Sequence, residues 1–277
     1  MPAKLEPAFV GLVDDAAIFP PGNAELTDAA AAYVDRDLPL VGTFVLRDTD
    51  LPRMKVASGV TMPVSVVVTG GAGQIAGPAR YCAKEQGYGL AGLEIALRDL
   101  DDLAGNARRV ATAVDAARGE GVLAEEVPVY VELPHVGSTA SWRAAADEVA
   151  AAELRLKFRT GGLEAEAFPA AHALTRWIDA ALDRETPFKC TAGLHHAVRS
   201  TSAEGFEQHG FLNVLVATKR AFDGAAVDEV VATLEDRDGA GLAAADRSGA
   251  RRWFTSFGSC SIDEPLEDLR ELGLVAS

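Results

Sequence analysis

The chain has 277 residues, of which 48% are hydrophobic, and this is enough for a large core in one α/β domain or two small ones. Its formal net charge is −15 at pH 7. An acidic surface repels phosphate backbones and anionic lipids, so neither nucleic acid nor a membrane surface is expected as the main partner.

Export and membrane signals are not visible in the sequence. The opening residues, MPAKLEP, hold no apolar core of signal-peptide length, and no stretch approaches the ~18 apolar residues that a membrane helix requires. Three widely spaced cysteines, Cys82, Cys190 and Cys260, form no C-x-x-C pair. We therefore expect a soluble, reduced, cytoplasmic protein without a disulfide framework.

Short β-type runs alternate with Ala-rich helical stretches along the whole chain. The predicted strands cover residues 9–13, 41–46, 64–69, 92–97, 129–133, 154–160, 188–192 and 253–256. The predicted helices between and after them cover 24–34, 72–84, 100–118, 138–151, 166–183 and 264–272. Strands that alternate with helices indicate a parallel sheet. Eight such units predict one (β/α)8 barrel of the TIM type over residues 1–277.

The interval before the last predicted strand is longer than the others. It predicts a helical insertion at about 200–250, with helices at 211–222 and 226–235. The main rival fold is an open doubly wound sheet, which a G-x-G-x-x-G motif after the first strand would favour. The chain instead has DDAAIFPPG at 14–22, so the barrel is preferred.

Alternation of side chains along the strands predicts charged groups inside the barrel. In the strand at 154–160, Arg155, Lys157 and Arg159 alternate with apolar residues, so these three should face the barrel axis. The same rule turns further polar residues of the neighbouring strands inward: Glu94, Tyr130, Glu132, Lys189 and Thr191. Buried charges need partners, so this set is either a structural ion-pair network or an active site at the strand ends. We favour the active site because the polar groups come late in each strand.

Lys157 and Lys189 lie on adjacent predicted strands. A neighbouring cation and partial burial lower the pKa of an ammonium group, which leaves a nucleophilic amine near neutral pH. Such an amine attacks carbonyl compounds and forms a Schiff base. Glu94 or Glu132 would then shuttle protons.

Two sequence motifs around these lysines resemble those of a known family. KFRTG at 157–161 looks like the K-x-x-T-G strand motif of class I aldolases of the deoxyribose-phosphate aldolase type. KCTAG at 189–193 is similar to their second lysine motif on the next strand. The resemblance implies Lys157 as the Schiff-base lysine, Lys189 as the group that lowers its pKa, and Glu94 as the acidic proton relay.

The sequence departs from the family pattern at two of these positions. Glu94 replaces an aspartate, and Ala192-Gly193 replaces a Gly-Gly pair. The predicted substrate-binding residues around the lysine pair are Arg155, Arg159, Thr160, Gly161, Gly162, Thr191, Gly193, His195, His196 and Ser256. The arginines and Gly-rich turns would hold a phosphate or carboxylate group of the substrate.

These residues predict a Schiff-base-forming lyase, similar to an aldolase, that acts on a small anionic carbonyl compound without a cofactor. One alternative is a metal-assisted isomerase or hydrolase that uses Glu132, His135 and His195 or His196, although their spacing fits no specific metal motif and no metal is assigned. Another alternative is a barrel that binds a small molecule without catalysis. Barrels of this size often associate, so a homo-oligomer stays open.

Overall fold

The computed structural model describes residues 5–56, 59–135 and 137–275. Its barrel strands are β1 (Val13–Asp15), β2 (Val41–Arg47), β3 (Met62–Val68), β4 (Tyr88–Ala96), β5 (Val129–Glu132), β6 (Arg155–Arg159), β7 (Phe188–Thr191) and β10 (Phe254–Ser259). Two further strands, β8 (Ser200–Thr201) and β9 (Glu207–Gln208), form an antiparallel hairpin outside the barrel. The helices are α1 (Leu26–Asp35), α2 (Ala76–Lys84), α3 (Leu103–Gly119), α4 (Ala140–Ala151), α5 (Ala171–Leu182), α6 (Phe211–Phe222), α7 (Val227–Glu235), α8 (Gly239–Ala244) and α9 (Asp263–Glu271).

The eight barrel strands are all parallel and close in the order β1-β10-β7-β6-β5-β4-β3-β2. This confirms the predicted (β/α)8 barrel of the TIM type. The register aligns Lys157 with Glu132 of β5 on one side and with Lys189 of β7 on the other. Strand pairing alone therefore brings the two lysines and one carboxylate to the same level of the barrel.

The first strand is the barrel strand that the sequence misplaced most. The prediction of a strand at 9–13 is wrong in all but its last residue, because Gly11 has a positive φ of 59° that interrupts extended backbone. The strand is instead Val13–Asp15. The largest differences among the helix starts are in α2 and α5, which begin only after short 3-10 turns at Ala72–Gln74 and Ala165–Ala167.

Apolar packing between the barrel and the surrounding helices fixes which side chains point inward. Phe158 of β6 lies 6.2 Å from Trp142 of α4 and 5.7 Å from Trp177 of α5, measured between ring centroids. It also contacts Phe188 of β7 at 5.1 Å. Because successive side chains of a strand point to opposite faces, anchoring Phe158 under the helices turns Lys157 into the barrel.

The segment between β7 and β10 contains the β8–β9 hairpin and three helices, α6, α7 and α8. Helix α6 is buried along most of its length, and its Phe211 stacks on Phe257 of β10 with ring centroids 5.0 Å apart. In the part of the chain that the structure describes, no helix has both the length and the apolar character needed to cross a bilayer.

Candidate active site

A cavity of about 740 Å³ opens at the carboxyl ends of the barrel strands. Its lining includes Glu94, Glu132, Lys157 and Lys189, which lie on the four neighbouring strands β4 to β7. This is the end at which characterised TIM-barrel enzymes carry their active sites. The cavity is therefore the candidate active site.

Lys189 forms the first part of a continuous chain of ion pairs at the base of the cavity. Its Nζ atom lies 2.7 Å from Oδ2 of Asp14 and 2.7 Å from Oε1 of Glu94. All three side chains are almost completely buried. The Nζ atom also lies 5.2 Å from the ring centroid of Tyr130, which provides a further favourable contact for the cation.

Lys157 continues this chain on the other side of Glu94. Its Nζ atom lies 2.6 Å from Oε2 of Glu94 and 3.0 Å from Oε2 of Glu132. The Nε atom of Arg159 donates to the remaining oxygen of Glu132 at 2.8 Å. The groups thus alternate in sign from Asp14 to Arg159, with three carboxylates and three cations. We call these six residues the charge chain.

Neighbouring serine and threonine residues donate further hydrogen bonds to the deep carboxylates. Ser256 donates to Oδ2 of Asp14 at 2.7 Å, and Ser65 donates to Oε1 of Glu94 at 2.8 Å. The amide and hydroxyl of Thr43 donate to Oδ1 of Asp14 at 3.0 and 2.9 Å. The deep carboxylates are therefore both paired and hydrogen-bonded, as buried charges must be to remain ionised.

The charge chain holds both lysines in the protonated form. Burial alone would lower the pKa of Lys157, but Glu94 and Glu132 outweigh it and leave that pKa above the ordinary value. Burial likewise opposes protonation of Lys189, and Asp14 and Glu94 outweigh it and raise its pKa. The expectation that Lys189 makes the pKa of Lys157 lower than usual is therefore wrong, because the raising effects of Glu94 and Glu132 outweigh the lowering effect of Lys189.

The same contacts act in the opposite direction on the carboxylates. Burial alone would raise the pKa of Glu94, but Lys157 and Lys189 reverse this and hold it well below its usual range. The pKa of Glu132 is also lowered, since Lys157 and Arg159 outweigh its burial. At neutral pH both lysines and both of these glutamates are therefore charged.

Half of the predicted substrate-binding residues line the cavity. Those that do are Arg159, Gly162, Thr191, Gly193 and His195. Those that do not are Arg155, Thr160, Gly161, His196 and Ser256. Direct substrate binding by the second group is not supported by their positions, and each has an identifiable structural contact instead.

Arg155 was predicted to face the barrel axis and bind the substrate, but its position along the strand keeps it away from the cavity. It is the first residue of β6, at the end of the barrel opposite the cavity. Its Nη1 atom donates to the phenol oxygen of Tyr130 at 3.1 Å. Ser256 lies below the cavity on Asp14, and His196 is turned outward to Asp268, with Nδ1 3.2 Å from a carboxylate oxygen.

The T-G and A-G ends of the two lysine motifs hold their strands together. The Thr160 hydroxyl donates to the carbonyl oxygen of Ala192 at 2.6 Å, and Thr160 is fully buried. A Cβ atom on Gly161 would come within 2.6 Å of the Cα atom of Gly193, and one on Gly193 would come within 2.7 Å of the Thr160 carbonyl oxygen. These residues therefore lock the ends of β6 and β7 together, which fixes the two lysines relative to each other.

Ala192 and Gly193 both have left-handed backbone, with φ of 62° and 75°. This conformation is strained for alanine and free of strain for glycine. The Gly-Gly pair that the aldolase motif carries at this point would suit the observed backbone without strain.

Several site residues were missed by sequence reasoning. Asp14 was not among the predicted site residues, because the first strand was placed too early. Cys260, Phe168 and the hairpin residue Phe206 also line the cavity, and the two phenyl rings contact each other at 5.3 Å. Loop residues of this kind show no periodicity, so only the fold could bring them together.

The residues of the metal alternative lie in separate environments. His135 packs edge-on against Trp177 with ring centroids 5.2 Å apart. His195 pairs with Glu264 at 2.9 Å, whereas Glu132 belongs to the charge chain. Within residues 5–56, 59–135 and 137–275, no group of three or more His, Cys, Asp or Glu side chains could hold a metal ion. The predicted ligand set is therefore not assembled in this structure.

Comparisons with protein-family models, with curated proteins and with solved structures found no match for this chain. The resemblance to class I aldolases therefore stays a prediction that is based on two short sequence motifs.

Gly193→Ala tests the lock between β6 and β7. We expect a loss of about 3 kcal/mol in the free energy of unfolding, since left-handed strain and a backbone clash add together. Gly249→Ala is the matched control, because Gly249 has a similar φ of 74° but open space around its Cβ position. It should lose only about 1 kcal/mol. If both variants lose the same free energy of unfolding in urea, the close approach of Gly193 to Gly161 contributes nothing to stability.

A double-mutant cycle on Asp14 and Lys189 tests the charge chain. Lys189→Met leaves two buried carboxylates short of a partner and should cost about 3–5 kcal/mol. Adding Asp14→Asn restores an alternating, neutral chain from Glu94 to Arg159, so the double variant should regain about 2 kcal/mol relative to additivity. Strictly additive losses in urea unfolding would contradict coupling between the two residues.

Proposed function

We propose that the protein is a Schiff-base-forming lyase, similar to an aldolase, that acts on a small anionic carbonyl compound. The observation that carries the proposal is the position of Lys157, whose amine lies at the base of the cavity within 3.0 Å of two carboxylates. A primary amine that meets both a ligand cavity and proton acceptors is the minimum that imine chemistry requires.

The resting ion pairs require that Lys157 lose a proton before it attacks. Glu132 is the better acceptor, because it contacts one lysine whereas Glu94 contacts two, and its 12% exposure against 2% allows it to exchange protons with solvent. Glu94 accepts hydrogen bonds from Lys189 and Ser65 and forms an ion pair with Lys157, and these contacts hold Glu94 ionised. We therefore assign Glu132 as the proton shuttle and Glu94 as the carboxylate that positions both lysines.

The chemical steps then balance within the cavity. The free amine adds to the carbonyl carbon, and loss of water gives an iminium ion. A base takes the proton of the hydroxyl group on the β carbon, the Cα–Cβ bond breaks, and the first fragment leaves as an aldehyde while the electron pair forms an enamine. Protonation of the enamine at Cα and hydrolysis of the resulting iminium ion then release the second product and the free amine. Proton transfers at each stage use the carboxyl group of Glu132, which Arg159 keeps oriented through the 2.8 Å hydrogen bond.

Positive groups on the cavity wall favour an anionic substrate. Arg98 and Arg159 both line the cavity, and Arg98 is exposed, with a hydrogen bond from its Nη1 to the Thr69 carbonyl oxygen at 3.3 Å. The charge chain is neutral as a whole and Arg98 lies outside it, so Arg98 can hold a carboxylate or phosphate group.

Borohydride trapping tests the nucleophile. With a panel of aldehydes, 2-oxo acids and sugar phosphates, we expect a reduced adduct on Lys157 by peptide mass spectrometry and none in Lys157→Ala. Lys84→Ala, on the exposed last turn of α2, is the matched control and should trap as the unchanged protein does. An adduct on Lys189 alone would reverse the two roles. Ligand binding without any adduct would favour a non-catalytic binding barrel.

The pH dependence of trapping follows from the raised pKa of Lys157. An ordinary lysine has a pKa of about 10.4, so Lys157 is an ammonium ion at neutral pH and the amine fraction grows about tenfold per pH unit below its pKa. The trapping rate with cyanoborohydride should therefore climb steadily from pH 7 to 9, in parallel with the rate for Nα-acetyl-lysine. A plateau near pH 7 would show a lowered pKa in the working enzyme and contradict the charge assignment.

A further inference from the structure

A second set of reactive side chains lies at the rim of the same cavity, away from the charge chain. Cys260 follows β10 directly, and His195 lies in the loop after β7. Both line the cavity. Glu264, in the first turn of α9, contacts Nδ1 of His195 at 2.9 Å. The proposed lysine chemistry uses none of these three residues.

The three side chains are arranged as in a catalytic triad: Cys260 is the nucleophile, His195 is the acid or base, and Glu264 orients His195. The Sγ atom of Cys260 lies 4.0 Å from each ring nitrogen of His195. Glu264 occupies Nδ1, so Nε2 is the nitrogen left for the thiol or for a leaving group. Catalytic hydrogen bonds are often longer than usual before a substrate binds, so the 4.0 Å separation is compatible with proton transfer.

The electrostatics of His195 fit this order. Its hydrogen bond with Cys260 raises the pKa of His195 to about 9 against the effect of burial, and Glu264 adds to the increase. At neutral pH the ring therefore carries a proton that it can pass to a departing oxygen or sulfur atom. Cysteine attacks as its thiolate, and a protonated ring 4.0 Å from Sγ is the kind of partner that such an anion requires.

The other two cysteines have the opposite environment. Cys82 of α2 and Cys190 of β7 are buried, and burial raises the pKa of both thiols, that of Cys82 to about 11. In the part of the chain that the structure describes, neither thiol lines the cavity or forms a hydrogen bond with a histidine. They serve as internal controls for thiol reactivity.

We infer that Cys260, His195 and Glu264 form an acyl-transfer site, in which Cys260 takes the acyl group of a small carboxylic ester or thioester bound in the cavity. The thiolate adds to the acyl carbon, and the bond from that carbon to the leaving oxygen or sulfur breaks. The leaving group takes the proton of the His195 ring. The products are S-acyl Cys260, neutral imidazole and a free alcohol or thiol, so no further reactant is required.

The experiment uses p-nitrophenyl acetate with the full-length protein at neutral pH. We expect a burst of about one equivalent of p-nitrophenol and, by peptide mass spectrometry, one acetyl group on Cys260. Cys260→Ala should abolish the burst, and His195→Gln should slow it about a hundredfold, the size of a general acid–base contribution. Cys82→Ala is the matched control and should leave the burst unchanged.

Three outcomes would overturn the inference. These are acetylation on a lysine in place of Cys260, acetylation of Cys260 no faster than that of a free peptide with the same sequence, and a burst that His195→Gln leaves unchanged. If His195→Gln lowers the melting temperature, Glu264→Gln provides an independent variant. It should slow the burst several-fold while its melting temperature stays near that of the unchanged protein. The inference does not rest on the proposed lyase function, because borohydride trapping reports on Lys157 alone.

Discussion

Alternating charge inside the barrel is the constraint on which the site depends. Lys157 and Lys189 would each be expensive to bury alone, and Glu94 between them makes both positions tolerable because it contacts one lysine with each oxygen, at 2.6 and 2.7 Å. Asp14 and Glu132 then balance the two ends. Each charged group compensates the charge of its neighbours, so removing one destabilises the others. The geometry of the charge chain is therefore fixed before any ligand binds.

That fixed geometry has a structural support outside the cavity. Phe158 is packed under the helices, and Thr160 and Gly161 are locked against Ala192 and Gly193. The lysine motifs therefore have two functions in one stretch of sequence: the lysines face the cavity, and the residues that follow hold the strand ends together. A motif of this type requires small residues for a packing reason that is independent of substrate.

The sequence predicted the parts of this site that depend on strand periodicity. Lys157 and Lys189 were placed inside the barrel because apolar neighbours at alternate positions define the other face. Asp14 was missed because a three-residue strand is too short to show alternation. Arg155 was assigned to the substrate because periodicity gives the face of a residue but not its height in the barrel. The pKa direction of Lys157 was wrong because it depends on distances to two carboxylates on other strands, which no local pattern contains.

Charge balance also constrains how the proposed chemistry proceeds. The charge chain is neutral, so an anionic substrate brings one uncompensated negative charge into the cavity, and this charge stabilises the ammonium form of Lys157 further. A cation on the wall must therefore hold the anion away from the amine, and Arg98 lies on that wall without belonging to the charge chain. Transfer of the Lys157 proton to Glu132 converts one ion pair into a neutral pair without changing the net charge. For a buried site closed by its ligand, this internal transfer costs less than releasing a proton to solvent and leaving an unpaired carboxylate.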